Sequence, residues 1–149
     1  MWNYFNPVEI IFGEYRFKEV HHTLKNKNYI IITHPEEIFK KYSDELNSSF
    51  NPPLSIMTDV QPNPDYKDIL ELQNKFSLIS ETVDYILAIG GGSVIDTAKA
   101  IAAFKDKQEY LTDFVRNKKS PRVENPIKII AVPTTSGTSS ELTCWATIW

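Results

Sequence analysis

Four short apolar runs mark the predicted strands of this chain. They cover residues 29–33, 54–58, 85–89 and 127–132, and polar or turn-forming residues separate them. Runs of this length that are rich in β-branched residues are typical of strands buried on both faces of a parallel sheet. A shorter run at 9–12 predicts one more strand.

Between these runs the apolar residues follow helical spacing. Residues 35–46, 66–79 and 94–104 are each predicted to form a helix. In the first of these helices, four apolar residues are expected on one side: Ile38, Phe39, Tyr42 and Leu46. The segment 106–126 is polar and turn-rich, with one helical turn predicted at 111–115.

The alternation of strands and helices predicts an α/β fold, an open, mostly parallel, Rossmann-like sheet with helices on both faces. Ligands of such sheets bind beyond the carboxyl ends of the strands. Three polar features follow predicted strands directly: His34 after Thr33, a glycine turn at 90–92, and a turn at 133–140. Their common position predicts a dinucleotide site.

Composition narrows the function classes. The chain has 149 residues, enough for one domain with its own core, and a net charge of −3, which favours neither nucleic acid nor an anionic membrane as a partner. Cys144 is the only cysteine, and no apolar stretch approaches the roughly 20 residues of a membrane span. The cytoplasm is the expected compartment. Because the sequence ends in the apolar run 144–149, we expect a fragment of a longer protein.

The glycine turn carries the strongest chemical signal. Gly90, Gly91 and Gly92 let the backbone approach a ligand closely and adopt positive φ, and a helix start offers unpaired N–H groups and a partial positive charge to a phosphate. Ser93 followed by Asp96 predicts a side-chain cap for this helix. These residues predict a nucleotide or phosphate site, and a tight strand-to-helix turn without a ligand is the alternative.

The turn at 133–140 is rich in threonine and serine. Hydroxyl groups can donate to phosphate oxygens or to a nicotinamide carboxamide, and they also accept from backbone N–H groups. A surface turn that binds nothing is the alternative, because such turns are common. Its combination with the glycine turn favours a ligand.

The two turns together resemble the metal-dependent (iron-containing, group III) alcohol dehydrogenase family. The matching motifs are G-G-G-S-V-I-D-T-A-K-A at 90–100 and P-T-T-S-G-T-S-S-E-L-T at 133–143. The resemblance implies NAD(P)-dependent interconversion of an alcohol and an aldehyde or ketone. It also implies that residues 1–149 form the dinucleotide-binding domain, with the fold of the dehydroquinate synthase N-terminal domain.

The resemblance also implies roles for particular residues. The pyrophosphate would be held at the glycine turn by Gly91, Gly92 and Ser93, with Asp96 supporting that turn. The cofactor cleft would be lined by Thr134, Thr135 and Thr138. The ribose and nicotinamide would be approached by Thr143 and Trp145.

His34 departs from the family pattern. Many members have an aspartate there that accepts from the adenosine ribose, and a carboxylate would repel a 2′-phosphate. A histidine tolerates that phosphate, so both NAD and NADP are admissible cofactors. A surface residue that caps the following helix is the alternative reading of His34.

The family's metal, iron or zinc, is held by an aspartate and usually three histidines of a helical C-terminal domain. No such position lies in this chain, so the resemblance implies no catalytic residue and no metal-binding residue here. It also implies that the fragment alone is inactive. A homodimer or larger assembly of the full-length protein is expected, acting on a small alcohol or aldehyde.

Two other functions remain as alternatives. One is a standalone nucleotide-binding domain without catalysis. The other is a relative of the sugar-phosphate cyclases, which the residues 136–141 disfavour. The run 143–149 faintly resembles family members that act on phosphonoacetaldehyde.

Overall fold

The structure is a computed structural model that describes residues 1–3, 5–119 and 125–149. Four strands form one sheet: β1 (Tyr29–Thr33), β2 (Ser55–Met57), β3 (Tyr85–Gly90) and β4 (Lys128–Pro133). All neighbouring strands are parallel, in the order β2-β1-β3-β4. The predicted parallel α/β sheet is therefore confirmed, and β1, β3 and β4 are direct neighbours.

Helices cover both faces of this sheet. The described helices are α1 (Lys18–Leu24), α2 (Glu37–Asn47), α3 (Tyr66–Ser77), α4 (Gly92–Phe104) and α5 (Gln108–Asn117). On one face α1 and α2 pack against alternate strand residues such as Ile31 and Leu87. On the other face α3, α4 and α5 pack against Ile30 and Ile86. Because successive strand residues point to opposite faces, the apolar runs serve both layers.

Tyr29, at the start of β1, is the most buried tyrosine among the described residues. Tyr29 is 1% exposed, and its hydroxyl donates to the backbone carbonyl of Asn51 at 2.9 Å. Burial raises the pKa of Tyr29 to about 12, because desolvation penalises the phenolate. This polar group is therefore buried with a partner.

Two predictions made for the N-terminal part of the chain are wrong. Residues 9–12 form no strand, and Ile10 and Phe12 are 67% and 97% exposed. No described strand pairs with this segment, so its backbone has no ladder to join. Ile38 is 69% exposed, because the inward face of α2 follows the spacing of Phe39, Tyr42 and Leu46.

The polar region before β4 is more helical than predicted. In place of one turn it contains the ten-residue α5, while residues 120–124 lie outside the described part. Leu111 is fully buried, and the rings of Phe104 and Phe114 lie 6.0 Å apart. Packing against α4 therefore stabilises a helix whose local sequence is weakly helical. No helix in the described ranges is long and apolar enough to cross a membrane.

Candidate functional site

Three turns meet at one edge of the sheet. The register pairs Thr33 with Ile89 and Gly90 with Pro133, so the carboxyl ends of β1, β3 and β4 lie side by side. The Thr33 hydroxyl donates to the Ile89 carbonyl at 2.8 Å, and the Thr134 N–H donates to the Gly90 carbonyl at 3.0 Å. The three polar features of the sequence therefore share the edge where ligands of parallel sheets bind.

The glycine turn is packed directly against the turn after β4. A Cβ on Gly91 would lie 2.8 Å from Thr135 Oγ1, and one on Gly92 would lie 3.1 Å from Thr138 Cγ2. Neither position has a positive φ, so the expected left-handed conformation is wrong. Close approach of the Thr135 and Thr138 side chains to the glycine backbone, rather than an unusual dihedral angle, is what favours glycine here.

The first turn of α4 has no side-chain cap. Gly91 is the N-cap residue, and the predicted cap by Ser93 and Asp96 is wrong. The helix begins one residue after Gly91, which places Ser93 inside the first turn. There its hydroxyl accepts from the Asn63 N–H at 3.1 Å. The backbone N–H groups at this helix start are therefore left for another acceptor, and the helix dipole favours an anion.

A cavity of about 340 Å³ opens in front of this helix start. Its lining comes from four segments: Asn63 and Pro64; Gly92, Ser93 and Asp96; Thr138 and Ser140; Thr147 and Trp149. Four of these were predicted as site residues from the sequence: Gly92, Ser93, Asp96 and Thr138. The glycine floor and the hydroxyl groups around it suit a phosphate-bearing ligand.

The remaining predicted site residues surround the cavity without lining it. Gly90 and Gly91 lead into it from β3, and Thr134 and Thr135 are exposed just after β4. Thr143 and Trp145 lie farther along the chain, beside Lys99. His34 is half-buried beyond β1, with its ring centroid 5.7 Å from that of Phe39.

Asp96 and Lys99 connect α4 to the end of the chain. Asp96 Oδ2 accepts from the Thr147 N–H at 3.0 Å, and Lys99 Nζ lies 3.6 Å from Asp96 Oδ1. At that distance Lys99 and Asp96 form an ion pair rather than a hydrogen bond. Their side chains are only 14% and 13% exposed, so the pair is largely withdrawn from water. Asp96 therefore supports residues 143–149.

Five lining residues were not predicted as site residues: Asn63, Pro64, Ser140, Thr147 and Trp149. The Pro62-Asn63-Pro64 turn carried a usable signal, since two prolines fix the turn that presents the Asn63 N–H. Thr147 and Trp149 carried none, because only tertiary contacts return them to α4.

The described part of the chain offers no metal centre. Within residues 1–3, 5–119 and 125–149, no three histidine, cysteine, aspartate or glutamate side chains come together. His21 instead pairs with Glu45 at 3.1 Å on the surface.

Comparison with known protein families gives one match across nearly the whole chain. The model of the family described as iron-containing alcohol dehydrogenase matches residues 7–149. An NADPH-dependent butanol dehydrogenase of Clostridium saccharobutylicum is 33% identical over 99 residues, which are 64% of this chain and 24% of that protein. Lactaldehyde reductase of Escherichia coli is 36% identical over 89 residues, covering 60% of this chain and 23% of that protein.

Solved structures agree with this match. A sulfoacetaldehyde reductase from Bifidobacterium kashiwanohense in complex with NAD+ superposes with a TM-score of 0.81 and 29% identity, covering 97% of this chain and 39% of that one. An iron-containing alcohol dehydrogenase from Thermotoga maritima gives a TM-score of 0.74 at 23% identity, a likeness of fold. The chain therefore spans about a quarter of these two sequence relatives and about two fifths of these structures.

Proposed function

Because this chain belongs to the iron-containing alcohol dehydrogenase family, we propose that it is the NAD(P)-binding part of an oxidoreductase. The family uses NAD(P) and a metal, and one similar structure is an NAD+ complex. The whole enzyme would move a hydride between the nicotinamide ring and a small alcohol or aldehyde. The chain's own task would be to bind and orient the dinucleotide.

The observation that carries this proposal is the contact between the glycine turn and the turn after β4. A methyl group at Gly91 would crowd Thr135, and one at Gly92 would crowd Thr138. The uncapped start of α4 faces the same space. A pyrophosphate placed there would receive backbone N–H donors and the positive end of the helix dipole.

The cofactor supplies the hydride chemistry, and the residues of this chain hold it in place. Glycines at the phosphates allow close backbone approach, while Thr134, Thr135 and Thr138 offer hydroxyl donors along the cleft. Ser93 is already engaged by the Asn63 N–H, which leaves its own hydroxyl proton free to donate. We propose Thr143 and Trp145 as the residues nearest the ribose and nicotinamide.

We place the metal outside this chain. The described residues gather no set of three potential ligands, so no reaction step is assigned to a metal held here. Residues 1–149 would form the dinucleotide-binding domain of a longer protein, and a metal-binding helical domain would follow it. A homodimer or larger assembly is proposed for that longer protein.

Among substrates we propose a small anionic aldehyde as the first to test. Two relatives support small aldehydes in general, since they are a lactaldehyde reductase and a sulfoacetaldehyde reductase. The latter's substrate carries a sulfonate, an anion of the same class as the phosphonate of phosphonoacetaldehyde.

The direct test is a titration of this chain with NADH and NADPH, followed by tryptophan fluorescence. Trp149 lines the cavity and can report binding. We expect saturable binding of at least one cofactor. The Gly91→Ala variant should bind about tenfold more weakly or worse, because the new Cβ would lie 2.8 Å from Thr135 Oγ1 and push the two turns apart.

Urea unfolding of wild type and Gly91→Ala serves as the control, since a variant that has lost its fold says nothing about the site. If a folded wild-type chain binds neither cofactor, the proposal is wrong. If Gly91→Ala folds and binds as tightly as wild type, the glycine turn is not the phosphate site.

A further inference from the structure

The segment of residues 143–149 is fastened along α4 by two side chains. Lys99 Nζ donates to the Trp145 carbonyl at 2.5 Å and to Thr143 Oγ1 at 3.2 Å. One turn earlier on the helix, Asp96 Oδ2 accepts from the Thr147 N–H at 3.0 Å. Lys99 and Asp96 are three residues apart, so they share one helix face.

The far end of the 143–149 segment is fixed to the turn before α3. The Trp149 N–H donates to the Pro64 carbonyl at 3.1 Å, and the Tyr66 N–H donates to the Trp149 carbonyl at 3.2 Å. Ile148 packs against the core on the α3 and α4 face. This segment therefore bridges the middle of α4 and the turn at Pro64, the two sides of the cavity.

The cavity depends on that bridge for one of its walls. Thr147 and Trp149 line it opposite the glycine floor formed by Gly92 and Ser93. At the 143–145 end of the segment, the Lys99 ammonium makes both side-chain hydrogen bonds described above. Beside one backbone bond from the Thr143 N–H to the Ser140 carbonyl, at 3.4 Å, this ammonium group ties that end of the wall to α4.

Lys99 differs from the exposed lysines of this chain. Its side chain is 13% exposed, whereas Lys75, which pairs with Asp59, is 57% exposed. Exposed ion pairs contribute little because water and salt screen them. A largely buried ammonium with a carbonyl, a hydroxyl and a carboxylate around it leaves those acceptors without their donor when it is removed.

We propose that Lys99 is a positioning residue of the cofactor pocket. It holds residues 143–149 against α4, so that Thr147 and Trp149 form a wall around the bound dinucleotide. The proposal rests on the proposed function for its ligand, while the anchoring itself is a property of the free chain.

The experiment compares Lys99→Met, Lys99→Arg and wild type in a Trp2→Phe background, where tryptophan emission comes from Trp145 and Trp149. Lys99→Met keeps the bulk of the side chain and removes its donors. Lys99→Arg keeps charge and donors, and Lys41→Met on the exposed surface of α2 is the matched control. Hydrogen exchange of the Thr147 and Trp149 amides, whose N–H groups are bonded to Asp96 and Pro64, reports the segment, and titration with NADH reports the pocket.

For Lys99→Met we expect faster hydrogen exchange at the Thr147 and Trp149 amides without cofactor and a Kd for NADH raised about tenfold. Lys99→Arg should restore both readings to within about threefold of wild type, and Lys41→Met should change neither. A role limited to general stability would speed exchange throughout the fold, whereas loss of the anchor speeds it at residues 143–149 alone. Should Lys99→Met fail to fold, Lys99→Leu gives the same two readings with a shorter side chain that also lacks donors.

The two hypotheses fail in different ways. A wild-type chain that does not bind NADH overturns the proposed function, while the exchange comparison still tests the anchor. A folded Lys99→Met chain with wild-type exchange at residues 143–149 and wild-type NADH affinity overturns the role of Lys99.

Discussion

At the residue scale, three successive glycines are each confined by a different side chain. A Cβ at Gly90 would lie 2.5 Å from Val94 Cγ2, within its own strand-to-helix connection. Gly91 and Gly92 instead face Thr135 and Thr138 across the cleft. The first glycine therefore serves the fold, because it lets α4 start against β3, and the other two serve the contact between the turns.

A second residue-scale feature is His34, which follows β1 at the edge shared with the glycine turn. We expect His34→Asp to weaken NADPH binding about tenfold while changing NADH binding by less than about threefold. The physical reason is repulsion between the new carboxylate and a 2′-phosphate. Parallel fluorescence titrations with the two cofactors measure the difference.

His22→Asp is the matched control for this substitution, because it adds the same charge on exposed α1. It should leave the ratio of the two affinities unchanged. Equal weakening of NADH and NADPH by His34→Asp would show that residue 34 does not face the adenosine ribose.

At the element scale, α3 and α4 begin in opposite ways. Asp65 caps α3 by accepting from the Lys67 and Asp68 N–H groups at 2.7 and 3.0 Å. In return, the Asp68 carboxylate accepts from the Asp65 N–H. At α4 the cap residue is Gly91, which has no side chain to offer. The first helix satisfies its own terminus, whereas no side chain caps the start of the second.

The α3 cap gives stability a defined pH dependence. The hydrogen bond from the Asp68 backbone N–H holds the pKa of Asp65 below its ordinary value of 3.8. A lowered folded-state pKa stabilises the fold above the unfolded pKa, and that contribution is lost as pH falls through the lowered value. Asp65→Ala should therefore unfold at lower urea than wild type near about pH 7, with a gap that narrows toward about pH 3.

Asp65→Asn separates the cap from the charge in this experiment, since asparagine caps helices without titrating. Its difference from wild type should be small near about pH 7 and arise from the charge alone. An Asp65→Ala gap that stays constant with pH would mean that the carboxylate form is not what stabilises α3.

The sequence predicts elements well where burial is continuous and poorly where packing decides. β1 was predicted with its observed bounds, since all five of its residues are buried and apolar or β-branched. In place of α5 the sequence predicts only one helical turn, because Leu111 and its neighbours become helical only through contacts with α4. The predicted cap at Ser93 is wrong because α4 begins at Gly92, two residues before the predicted start, which leaves Ser93 inside the first turn.

The candidate site also has one part that the sequence could predict and one part that it could not. Turns that follow strands could be placed at one edge, since parallel strands must end together. The wall formed by Thr147 and Trp149 could not, because nothing near them in sequence specifies a return to α4.

At the scale of the whole molecule, the described residues form the candidate cavity but bring no three potential metal ligands together. We expect the isolated chain to show no alcohol-dependent reduction of NAD+ or NADP+, even with added Fe²⁺ or Zn²⁺. No three potential metal ligands meet among the described residues, so nothing in that part would hold a Lewis acid beside the substrate. The absorbance of NAD(P)H, followed in an assay without coupling enzymes, measures this directly.

The same preparation must bind NADH for this result to count, because an unfolded chain would also be inactive. Turnover above the buffer rate that is abolished by Gly91→Ala would show that this chain carries a complete active site.

The strand order also determines when the fold can close during synthesis. β1 is the most buried strand, yet Tyr29 to Thr33 pair with residues 85–89 of β3, which are made much later. Until β3 emerges, β1 can pair only with the short β2, and its other edge stays open. Parallel pairing across such separations is slow and leaves apolar edges exposed. A nascent chain therefore exposes one apolar edge of β1 until β3 and the glycine turn that follows it have been synthesised.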